Sequence, residues 1–163
     1  YVRAVFLEGQ AQHQDVGLRG LQVALGHQLG SASCDMAAHA VVDPAAGEDY
    51  VRVVADLLGL AFKENCPDVR NTRVVDIVAE LRSYNANVHI HDPWVDAGEA
   101  KHEYGLDLVD KPEAGKYDAI ILAVSHREFI ALGVEGIRAF GKPGAVLFDV
   151  KRALPRAGVD DCL

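Results

Sequence analysis

YDAIILAV, residues 117–124, is the stretch that decides the fold class. After Asp118 the run Ala119–Val124 is apolar without a break, bounded by polar residues on either side. A strand with no polar alternation needs cover on both faces, which is the pattern of a parallel sheet between helical layers. Working outward, three further segments predict strands: Val51–Leu60 (VRVVADLLGL), Val88–His91 (VHIH) and Gly144–Asp149 (GAVLFD). The first of these is less regular than the others. Between them, Thr72–Tyr84 places Val74, Val75, Ile77, Val78 and Leu81 on one helical stripe, with Asp76, Glu80 and Arg82 elsewhere. Ala97–Tyr104 predicts a weaker helix, Leu106–Val109 a short strand, and Arg127–Leu132 and Val134–Phe140 helical turns. Strands alternating with helices give an α/β domain with a mainly parallel sheet.

The chain divides near residue 50. Residues 1–50 contain no lysine, two arginines (Arg3 and Arg19) and six glycines, and keep no period for long. A short helix is expected around Leu18–Leu29, and the segment as a whole yields no functional reading and stays unassigned. The readable domain is 51–163. At 163 residues the whole is about one domain's worth of chain. A net charge of −8, from 24 acids against 16 bases, repels phosphate backbones and anionic lipid. It therefore argues against nucleic-acid and membrane-surface partners. Cys34, Cys66 and Cys162 are widely spaced and form no CxxC pair, so neither a disulfide framework nor a zinc site is expected. No basic leader and no long apolar run precede the domain, so the expected compartment is the cytoplasm, and a homo-oligomer is left open.

In a parallel α/β sheet, ligands sit beyond the carboxyl ends of the strands. Four cations fall there: Lys63 and Arg70 after the first strand, Lys151 and Arg152 after the last. On an acidic chain this local cluster points to an anionic ligand such as a phosphate ester, with lysine as a point charge and arginine as a planar fork. The plainer alternative is a set of solvated loop charges, with Asp68 pairing Arg70. His89 and His91 share a strand face, but no third metal ligand accompanies them. Ser125-His126 has no oxyanion motif beside it, so His126 is expected to cap or pack near a helix start. Trp94 is expected to pack on the rim.

GLAFKENCPDVRNTRVVDIVAEL (59–81), HDPW (91–94), EAKHEYGLDLV (99–109), YDAIILAVSHREF (117–129) and LFDVKRALPRAGVD (147–160) occur in that order. Together they resemble the C-terminal domain of the UDP-glucose/GDP-mannose dehydrogenase family. The FKENCPD-R-NT wording is similar to the branch that oxidises UDP-N-acetylhexosamines for polysaccharide synthesis. The resemblance implies a Rossmann-like three-layer domain that binds the nucleotide of a UDP-sugar. It implies substrate contacts from Phe62, Lys63 and Lys151, and a contact from Arg70 to the pyrophosphate of NAD across an interdomain cleft. The family's Gly-rich NAD fingerprint and catalytic-cysteine motif match nothing in these 163 residues, so the chain alone is expected not to turn over substrate. Two other readings stay open: a non-catalytic nucleotide-binding or oligomerisation module, and a receiver-like domain, given the strand-end acids Asp92 and Asp149 with Lys151.

Overall fold

The structure, a computed structural model, describes residues 53–162. The lysine-free segment 1–50, with its expected helix and Cys34, lies outside the described residues. Five strands form one sheet: β1 (Val54–Leu58), β2 (Asn87–His91), β3 (Tyr117–Leu122), β4 (Gly141–Asp149) and β5 (Asp161–Cys162). Their order is β2-β1-β3-β4-β5, and every neighbouring pair is parallel. Three helices connect them: α1 (Val74–Ser83), α2 (Ala97–Tyr104) and α3 (Arg127–Arg138), followed by a 3-10 turn at Arg156–Gly158.

The two-sided cover inferred from YDAIILAV is present. Ala119 and Ile121 of β3 join a cluster with Ala55, Leu57, Val88, Ile90 and the α1 residues Val74, Val78 and Leu81. On the opposite face Ile120 and Leu122 pack with Leu58, Leu147, Phe129 and Ile137. Each large apolar side chain so buried contributes roughly 1.5–3 kcal/mol relative to exposure, so the strands and not the polar loops hold the domain.

Helix boundaries follow local chemistry. The Thr72 hydroxyl accepts the Val74 N–H at 3.2 Å, opening α1. Asp96 caps α2 by accepting the Glu99 N–H at 2.9 Å, and Gly105 closes it in the left-handed region at φ 66°. Within α3 the backbone is broken at Gly133 (φ 63°, ψ −175°), between the two helical turns expected from the sequence. The segment Leu106–Val109 is not a strand: it offers β2 a backbone bond, from Val109 N–H to Ile90 O at 2.8 Å, but no ladder. The two-residue β5 has no signal of its own in the sequence. Among the described residues no helix is long and apolar enough to cross a membrane.

Candidate functional site

The chain steps from β1 outward to β2 and then crosses back to β3 on the other side of β1, so the topological switch lies between β1 and β3. In open parallel sheets ligands sit outside the carboxyl ends of the strands at such a point. The long β1–α1 connection, residues 59–73, dominates this rim. It starts at Gly59, whose φ is 95° and where a Cβ would lie 2.5 Å from Val124 Cβ. Only glycine lets the β1 exit pass this close to the β3 exit.

Asp92, at the end of β2, organises the next turn of chain. Its Oδ2 accepts N–H groups from Leu60 (2.7 Å) and Ala61 (2.9 Å) and the His126 Nε2–H at 3.1 Å. Its Oδ1 accepts from Trp94 N (2.8 Å) and Val95 N (3.1 Å). Burial pushes this carboxyl up, but the hydrogen bonds from His126 and from the Leu60, Ala61 and Trp94 backbone outweigh it and hold it down at about 2. His126 is fully buried. Its Nδ1 accepts the Asn65 N–H at 2.9 Å, and because a backbone N–H can only donate, the partners assign the neutral Nε2–H tautomer. Asn65 sits in the left-handed region (φ 53°), and its Oδ1 accepts the Arg127 N–H at 2.9 Å, capping α3 from the β1 loop. Trp94 stacks over His126 with centroids 6.3 Å apart, donates its Nε1–H to Glu128 and carries the Arg127 guanidinium 4.7 Å above its ring.

On this frame stand the residues predicted to bind ligand. Phe62 is 54% exposed, a large apolar ring held in solvent, and Lys63 beside it is exposed. The Phe62 N–H closes the loop on Asp68 O at 2.8 Å. Arg70 is gripped by Asp68 through Nε (2.9 Å) and Nη2 (3.0 Å), as the plainer alternative for the pair supposes, and its guanidinium still faces solvent. The Arg70 side chain holds the Asp68 carboxyl at about 2, with a smaller contribution from Lys63. Lys151 approaches Glu64 at 3.9 Å, joining the β1 and β4 loops, and Ser125 Oγ donates to the same Glu64 carboxylate. The Glu64 carboxyl is lowered, first by its own backbone hydrogen bond and then, against some burial, by Lys151 and Ser125. The β4 loop has its own organiser: buried Asp149 accepts Lys151 N at 2.9 Å and Leu154 N at 2.8 Å.

The rim therefore carries two ion pairs, Arg70–Asp68 and Lys151–Glu64, with the exposed Lys63 and Phe62 on the same loop as both carboxylates. Asp92 and Asp149, the acids behind the receiver-like reading, have both oxygens engaged by N–H donors, so neither is presented as a free acceptor. His89 and His91 do not converge: His89 Nδ1 lies 3.3 Å from the Tyr117 hydroxyl and His91 Nδ1 3.0 Å from Val109 O. Among the described residues no cluster of three metal-ligating side chains exists. The buried Asp92–His126 pair is what residue-by-residue reading missed. It joins Asp92, directly after β2, to His126, four positions past the end of β3.

A model of the UDP-glucose/GDP-mannose dehydrogenase family, UDP binding domain, matches residues 56–156. A UDP-N-acetyl-D-glucosamine 6-dehydrogenase from Pseudomonas aeruginosa is 57% identical over 106 residues, 65% of this chain and 25% of that protein. The enzyme of the same name from Salmonella typhi is 54% identical over 99 residues, 61% of this chain and 23% of that protein. The chain thus spans about a quarter of the curated relatives it matches. Among solved structures, the UDP-D-ManNAc dehydrogenase from Pyrococcus horikoshii matches with a TM-score of 0.62 at 21% identity, covering 91% of this chain and 29% of that one. That likeness concerns the fold, an α/β sheet of dehydrogenase type. With the family model spanning most of the described sheet and its rim, the chain belongs to the UDP-glucose/GDP-mannose dehydrogenase family, through its UDP binding domain.

Proposed function

We propose that residues 51–163 form the nucleotide-sugar side of an NAD-dependent UDP-N-acetylhexosamine 6-dehydrogenase, which supplies a uronic acid for polysaccharide synthesis. The observation that carries this reading is the cationic rim at the switch point, built on a domain of the UDP-binding family. The donor set fits a nucleoside diphosphate sugar: Lys63 and Lys151 as mobile point charges for diphosphate or ribose oxygens, and the exposed Phe62 ring as an apolar surface for base or sugar. Arg70, with its guanidinium plane oriented by Asp68, is suited to one further pyrophosphate, that of NAD across an interdomain cleft. NAD, when bound, supplies the hydride acceptor for oxidation at C6. The role of this chain's own residues is to bind and orient the nucleotide sugar.

Calorimetric titration of the chain with UDP and UDP-N-acetylglucosamine tests the reading. Binding of both is expected, and Lys63→Ala should weaken it by about 10–100-fold, the value of one charge-assisted hydrogen bond. Absence of binding at millimolar ligand would instead leave a non-catalytic module.

A further inference from the structure

We propose that the buried Asp92–His126 pair positions the Lys63 loop, and that it does so only with His126 in the neutral Nε2–H form. This rests on the reading above in one respect, that the held loop is the one meeting the nucleotide. His126 occupies the N-cap position of α3 yet makes no side-chain cap bond to that helix. The cap is supplied instead by Asn65 from the β1 loop. Both ring nitrogens of His126 are engaged away from its own helix: Nε2 on Asp92 and Nδ1 on the Asn65 N–H, 61 residues back along the chain. Asp92 holds the start of the same loop through Leu60 and Ala61. Phe62, Lys63 and Glu64 are thus suspended between two anchors, Asp92 on one side and His126 on the other. Burying a polar ring costs stability unless its hydrogen bonds are made, and here each bond goes to the loop or to the loop's other anchor. The pair does not touch the proposed ligand position. It acts through the backbone on either side of Lys63, as a positioning device.

Three histidine variants of the full chain separate this from general packing. His126→Asn keeps an acceptor near Asn65 and loses the donor to Asp92, His126→Gln does the reverse, and His126→Ala removes both. In the wild type, ring-nitrogen NMR is expected to show Nε2 protonated and Nδ1 bare, and the Asn65 amide to exchange slowly. His126→Ala should release the Asn65 amide while β3 amides stay protected, and lower UDP affinity about tenfold. His126→Asn should recover Asn65 protection where His126→Gln does not, a split that a purely space-filling role would not produce. A protonated Nδ1 in the wild type overturns the proposal. So does a folded His126→Ala chain with unchanged Asn65 exchange. If the wild type binds no UDP, the nucleotide reading falls, and the loop-holding claim is judged by ring nitrogens and Asn65 exchange alone. If His126→Ala does not fold, the Asn and Gln variants and the wild-type ring still decide.

Discussion

Asp56 is the residue at which the fold works against itself. It lies in the centre of β1, fully buried, and both carboxyl oxygens lack a hydrogen-bond partner. Its ladder neighbours are His89 on β2 and Ile120 on β3. Burial pushes the carboxyl up to about 7 from an ordinary value near 3.8. A raised folded-state value means the protonated form is the one the fold tolerates. Its stability contribution is therefore complete below about pH 4 and is lost as pH rises toward 7, by roughly 1.4 kcal/mol per unit in between. Asp92 and Asp68, both held at about 2, titrate below that window. Urea midpoints are expected to fall between pH 5 and 7.5 in the wild type, and Asp56→Asn should flatten the slope. An unchanged slope in the variant would remove Asp56 as its cause. The sequence shows Asp56 as a polar break in VRVVADLLGL, but a strand alternates faces, and a lone acid is equally at home on a solvated one. Only the cover of that face by α3 makes the position costly.

At the scale of elements, periodicity made the sheet legible. Among the described residues, four of five strands and the helix α1 lie where apolar runs and stripes put them, because their burial is a property of local pattern. Helix α2, by contrast, buries only Ala100 and is marked by its ends, Asp96 and Gly105. What failed was short. Leu106–Val109 has apolar residues but only a single backbone–backbone bond to β2, and β5 is defined wholly by its pairing to Phe148 and Asp149. The rim was legible as a set of cations, since position after a strand places a residue at the carboxyl edge. The anchors Asp92 and His126 were not, because their bond joins residues 34 apart and no spacing rule encodes it. Gly59 gives the sharpest element-level test. A methyl there meets Val124 Cβ at 2.5 Å and Val124 N at 2.9 Å, in a backbone region unfavourable to side chains. Gly59→Ala should destabilise by about 2–4 kcal/mol, read as a lower urea midpoint. A wild-type midpoint would show that the β1 and β3 exits can separate freely.

For the whole molecule, an acidic chain carries Lys63, Arg70 and Lys151 on loops at the carboxyl edge of its sheet, so the proposed binding is a matter of local and not net charge. Lys63, Arg70 and Lys151 are exposed, so their field is screened over about 10 Å at 0.1 M salt and about 3 Å at 1 M. UDP affinity is expected to fall severalfold between 50 mM and 500 mM sodium chloride, measured by calorimetry. Affinity independent of salt would mean that the cations are not the recognition element.

The ties that hold the β1 loop have a consequence for folding order. Asn65 reaches His126 and Arg127 across 61 and 62 residues. Closing so long a segment is entropically unfavourable until the intervening strands have docked. The rim must therefore be among the last parts to order, after β1, β2 and β3 have assembled. The proposed nucleotide binding would then report completion of the fold, and a nucleotide bound there would shift the folding equilibrium of the entire sheet by mass action.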